Sequence, residues 1–167
     1  NFSTGSGEAD EAIDLDIAGS EVNEVRHLLS GKDLQVFTDG GEYYIPRAND
    51  NTITPGNVSV LRQTPYGISR TAPVMFDQAA GFIQKNGKAV REFIYSDLSQ
   101  AYNSDSITIL SQHLIGTPVD IVAQREASDQ VESYLYSINS AGNIAVFTSI
   151  RKEKLQGWSL YETQGSF

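Results

Sequence analysis

Asp33-Leu34-Gln35-Val36-Phe37-Thr38, then Asp39-Gly40-Gly41, then Glu42-Tyr43-Tyr44-Ile45, is the stretch that decides the fold class. Two runs of aromatic and β-branched residues flank a short Gly-containing turn. That is among the strongest hairpin signals a sequence carries, because glycine accepts the positive φ a tight turn needs. Pro46 stops the second run, and residues 47–57 form a polar loop with Pro55 and Gly56.

The same unit recurs along the chain. Ala79 to Gln84 leads into Lys85-Asn86-Gly87-Lys88, and Ala89 to Tyr95 answers it. Ser133 to Ile138 leads into Asn139-Ser140-Ala141-Gly142-Asn143, and Ile144 to Ile150 returns. Further strands are expected at Ala12–Ile17, Val58–Arg62, Pro73–Phe76, Val119–Arg125 and Gly157–Glu162, with a turn at Pro65-Tyr66-Gly67. The turns at Gly40/Gly41, Gly87 and Gly142 lie roughly 50 residues apart, a period that suits propeller blades of several strands each. The expected class is therefore all-β, an antiparallel meander or β-propeller-like blades. An ordinary antiparallel sandwich fits the same pattern and stays open.

Two segments read as short helices. Ser20 can cap a helical turn running towards Leu29. In Asp105-Ser106-Ile107-Thr108-Ile109-Leu110-Ser111-Gln112-His113-Leu114, β-branched residues favour a strand. Yet Asp105 can act as an N-cap, and Ile107, Leu110 and Leu114 share one helical face. A short helix is the reading taken.

Composition removes several function classes. The chain has 167 residues, enough for one ordinary domain, and 40% of them are hydrophobic, so a core can form. It has no cysteine, which excludes disulfides, Cys-ligated zinc and thiol catalysis. A net charge of −9 repels a phosphate backbone over most of the surface, which disfavours clamping nucleic acid. No stretch approaches the ~20 apolar residues of a membrane helix. The chain starts at Asn1 with a Ser/Gly/acidic run and ends at Phe167 after a strand-like segment; both ends read as cut, as in a fragment of something longer. Residues 1–11 read as a flexible N-terminal segment, and residues 12–167 as the blade-like segment.

Chemistry-bearing residues are scattered. His27 and His113 offer no ligand spacing and no orienting carboxylate. Asp10, Asp14 and Asp16 superficially resemble a calcium loop but lack the central Gly and the distant Glu. The carboxylates Glu11, Glu126, Asp129 and Glu132 are expected as solvated charge. Tyr43, Tyr44, Tyr95, Tyr102, Tyr134, Tyr136 and Tyr161 are expected in cross-strand packing, and Trp158 as a wedge between sheets. No phosphate loop, nucleophile elbow or zinc-protease motif is present. The reading is thus of no catalytic residue, no metal ligand and no cofactor.

Several short motifs occur in a telling order: Leu34 to Glu42, Thr54-Pro55, Gln63-Thr64-Pro65-Tyr66-Gly67, Phe82 to Glu92, Asp105 to Leu114, Ala141 to Thr148 and Gly157 to Gly165. Together, over nearly the whole chain, they resemble the tail tubular protein B, or nozzle, family of short-tailed bacteriophages and prophages. Asn143 after Gly142 departs from the acidic-Gly turn expected there. The resemblance implies a virion structural protein containing a β-propeller, made in the bacterial host cytoplasm. It would assemble as a hexameric ring at the end of the tail, contacting an adaptor or gatekeeper protein and tail fibres. Genomic DNA would pass through without specific binding. Two other readings are kept: a tail-associated glycan hydrolase using a carboxylate pair, and a glycan- or fibre-binding module presenting loops 47–57 and 126–132.

Overall fold

The computed structural model describes residues 12–13, 23–47, 53–125 and 132–165. Twelve strands form three four-stranded antiparallel sheets among these residues, each a simple meander. The first holds β1 (Val25–Ser30), β2 (Leu34–Thr38), β3 (Glu42–Ile45) and β4 (Leu61–Thr64). The second holds β5 (Val74–Phe76), β6 (Ala79–Ile83), β7 (Val90–Ser96) and β8 (Ala101–Ser106). The third holds β9 (Pro118–Gln124), β10 (Ser133–Asn139), β11 (Ile144–Ile150) and β12 (Leu155–Tyr161). The all-β expectation is met.

The three Gly turns found in the sequence occupy one equivalent place. Each joins the second strand of a sheet to the third: β2 to β3, β6 to β7 and β10 to β11. Gly87 and Gly142 adopt φ of +67° and +79°, a region most side chains avoid. A further glycine, outside these turns, is held by a close approach. Gly67 has φ +69°, and a Cβ there would lie 2.4 Å from the Asp39 carbonyl oxygen. This contact lets Ile68 N–H bond to Thr38 O and Lys85 N–H bond to Gly67 O, both at 2.9 Å, tying the first sheet to the second.

The second sheet lies between the other two, which explains its composition. All five residues of β6 are buried. A strand covered on both faces needs no polar alternation, so Ala79-Ala80-Gly81-Phe82-Ile83 is an unbroken apolar run. In β7 the pleat still sorts side chains. Phe93 packs with Phe37, Phe82 and Tyr102 toward the first sheet, while Val90 packs with Leu135 and Phe147 of the third. Three stacked sheets rule out an ordinary two-sheet sandwich.

A smaller cluster covers the far face of the first sheet. Ile53, Val58 and Val60 pack on Val36, Tyr43 and Ile45. This moves the strand expected at Val58–Arg62. Val58 and Val60 serve as an apolar cover in irregular backbone, and β4 begins only at Leu61.

The helix expected over Asp105–Leu114 does not form, and the described part of the helical turn expected from Ser20 towards Leu29 is a strand from Val25 on. Val25–Ser30 is the edge strand β1; its backbone gains a ladder with β2 that an isolated helical turn cannot match. Ser20 lies outside the described residues, as do the N-terminal segment 1–11 and residues 14–17 of the strand expected at Ala12–Ile17; Ala12 and Ile13 belong to no strand. Ala101–Ser106 is β8, paired along its whole length with β7. Residues 107–110 turn the chain, and only Gln112–Leu114 make one 3-10 turn. The Asp105 cap thus lost to cross-strand pairing, a tertiary gain that local propensity does not contain.

Candidate functional site

The chemistry of the molecule is concentrated in the two seams between sheets. The first seam is mainly aromatic. Phe37 meets Phe82 and Phe93 at ring distances of 5.4 and 5.6 Å, and Tyr102 stacks on Phe93 at 4.6 Å. Such pairs each contribute about 0.5–1.5 kcal/mol beyond area burial. Tyr102 donates its hydroxyl to Asp33 Oδ2 at 3.0 Å, and its N–H bonds to Gln63 Oε1 at 2.8 Å. Burial and the Asp33 carboxylate push the Tyr102 hydroxyl up to about 12.

Polar groups lie along the same seam. Thr64 Oγ1 donates to the fully buried Glu42 carboxylate and lies 2.8 Å from Ser104 Oγ. Burial raises the Glu42 carboxyl above its ordinary range, against the Thr64 hydroxyl and the N–H groups of Tyr66 and Gly67. Arg91 lies over the Tyr66 ring at 3.4 Å and donates to Ser104 O at 2.8 Å.

The second seam is held by a charged staple. Arg151, in the 3-10 turn between β11 and β12, pairs with Asp77 Oδ2 at 2.7 Å and Glu92 Oε2 at 2.6 Å. Its Nε also donates to Asp77 O at 2.8 Å. Asp77 and Gln78 form the two-residue β5–β6 turn, with φ of +46° and +69°. Two consecutive positive φ values are the mark of a type I′ hairpin, which ordinarily takes Asn-Gly. Here the turn is Asp-Gln, and the Arg151 and Ser149 contacts to Asp77 offset part of its strain.

Beside this staple a groove of about 380 Å³ opens between the sheets. Phe147, Trp158 and Gln156 line one side, and Asp105, Ile109 and Leu110 the other. Trp158 donates Nε1 to Ile107 O at 2.7 Å and packs on Phe147 at 5.1 Å. The wedge role expected of it is met. Ile109 and Leu110 are strongly exposed on the rim. Glu92 and Asp105 sit directly opposite each other on β7 and β8, but Glu92 is committed to Arg151.

Among the described residues, those weighed in the sequence do not converge. His27, in β1, bonds through Nε2 to Arg70 O at 3.1 Å; His113 is exposed in the turn before β9. Glu126 and Asp129 lie outside the described residues, as do Asp10, Glu11, Asp14 and Asp16. Among the described residues no three His, Asp or Glu side chains are grouped to hold a metal ion, and no helix is long and apolar enough to cross a membrane. The staple residues Asp77, Glu92 and Arg151 were missed in the sequence. They are 15 and 59 positions apart, and only stacking brings them together. Compared with known proteins, the chain matches no family model and no curated protein.

Proposed function

We propose that this chain is a wall segment of a tubular virion assembly, part of a phage tail nozzle that conducts DNA. The observation that carries the reading is the serial stacking of three four-stranded meanders with strands of equal rank opposed. Outermost β4 meets outermost β8, and β5 meets β9. Serial repetition of one four-stranded unit suits a wall better than a catalytic pocket. Support also comes from the ordered motifs quoted above and from the net charge of −9, which opposes retention of DNA by counterion release.

In this reading the partners are further copies of the same protein in a ring, an adaptor protein and fibres. The test is light scattering and electron microscopy of the purified chain joined to its native flanking sequence, with a gel shift on duplex DNA at about 0.15 M salt. Ring-shaped oligomers with no DNA retention are expected. A strict monomer, or tight salt-sensitive retention of DNA, refutes it. A second reading, a glycan-binding module, rests on the groove of Trp158, Gln156 and Asp105, since an aromatic face beside polar groups suits a sugar ring. Saturable glycan binding lost in Trp158→Ala would favour it over the wall.

A further inference from the structure

We propose that Arg26, Arg70 and Lys85 form an oxyanion pocket that takes a single phosphate group. The three cations come from three separate elements: β1, the β4–β5 connection and the β6–β7 turn. They converge on a cleft of about 200 Å³ completed by Asp39, Ile68 and Ser69. Convergence of this kind is unexpected in a chain that holds only 12 Lys and Arg against 21 Asp and Glu.

The charges are only partly met internally. Arg70 is exposed, and its guanidinium has no hydrogen-bond or ion-pair partner among the described residues; only its backbone oxygen is engaged, by His27. Lys85 reaches Asp39 Oδ2 at a long 3.4 Å, and Arg26 pairs at 2.9 Å with a largely exposed Glu24. Surface pairs like these hold weakly and exchange readily for a better acceptor. Asp39 accepts the Glu24 N–H at 2.9 Å. Burial works against its charge, but that N–H, Lys85 and Arg26 outweigh it and hold the Asp39 carboxyl below its ordinary value. The cleft field is therefore net positive even with Asp39 ionised. Counting Arg26, Arg70 and Lys85 against Asp39 and Glu24 leaves one positive charge, 3 − 2, which matches a singly charged oxyanion. The forked guanidinium of Arg70 suits two phosphate oxygens at once.

Two sources share this chemistry, free phosphate and the phosphodiester of a nucleic acid backbone. The inference does not rest on the wall reading, since one weak phosphate contact is compatible with DNA that passes freely. The experiment is an NMR titration of the 167-residue chain with sodium phosphate against sodium chloride at matched ionic strength, with a second arm using a duplex of about 12 base pairs. Saturable shifts confined to Arg26, Ser69, Arg70 and Lys85 are expected. Arg70→Gln should weaken the response about tenfold, and Lys154→Gln, remote on the β11–β12 turn, should leave it unchanged. Saturation by the duplex alone assigns the phosphodiester as source; saturation by free phosphate alone assigns the free anion. No saturable shift in either arm, equal shifts with chloride, or equal shifts in Arg70→Gln overturns the proposal.

Discussion

Replacing Arg151 with Met removes the staple of the second seam while keeping most of the side-chain volume. Three oxygens lose their Arg151 contact: Asp77 Oδ2, Asp77 O and Glu92 Oε2. The pair is neither fully buried nor on the surface, with side-chain exposures of 26% for Arg151, 21% for Asp77 and 11% for Glu92. Breaking a fully buried pair costs about 3–5 kcal/mol, and an exposed one about 0–1 kcal/mol. The expected loss for Arg151→Met is therefore about 2–3 kcal/mol. Asp77 keeps its bond from Ser149 Oγ at 3.3 Å. Glu92 fares worse, because Asp105 stands directly opposite on β8 and like charges across a ladder repel. Most of the loss should therefore trace to Glu92. Urea unfolding followed by the single tryptophan, Trp158, reports on this seam. The midpoint should fall with little change in slope, and the melting temperature should drop by roughly 5–10 °C. Adding Glu92→Leu should recover about half the loss, since it removes the stranded charge. A loss under about 1 kcal/mol, or no recovery in the double variant, refutes the staple as a stabilising element.

Three further outcomes are expected. Gln78→Gly should stabilise the chain by about 1 kcal/mol in thermal melts, because the exposed Gln78 sits at φ +69° where glycine carries no Cβ penalty. Gly67→Ala should destabilise by at least ~2 kcal/mol in the same melts, since the new Cβ meets the Asp39 carbonyl and φ is positive. Glu42→Gln should become more stabilising, relative to the parent, as pH rises. The Glu42 carboxyl is raised in the folded state, so between its unfolded value near 4.5 and its higher folded value the unfolded chain releases the proton first. Parent stability then falls across that window and levels off above the folded value, while Gln at this position does not titrate. Urea titrations from pH 4 to pH 8 check the sign: a flat difference between the two proteins contradicts it.

The hairpins at Gly40/Gly41, Gly87 and Gly142 were legible because a tight turn between apolar runs is a local requirement. The period then pointed to a repeated unit of several strands, and the structure sets that number at four. Strands β1 and β8 were not legible. Val25–Ser30 carries mixed polar and apolar residues at a sheet edge, and Ala101–Ser106 reads Ala-Tyr-Asn-Ser-Asp-Ser, with propensity against a strand. Each became a strand because a neighbour offered a ladder. The hairpin at Asp77-Gln78 was hidden for a related reason: its turn residues are unsuited locally and are held by Arg151 from the next sheet.

The same division applies to the sites. The sequence by itself determined the all-β class, the position of the three turns, the absence of thiol chemistry and the acidic balance, since each follows from residue type or spacing over a few positions. Only the tertiary structure decided which charges meet. Arg151 meets Asp77 and Glu92 within 2.7 Å, and Arg26, Arg70 and Lys85 line one cleft, because stacked sheets bring distant chain segments together. Local rules act over a turn of chain, whereas the seams are set by the packing of whole sheets.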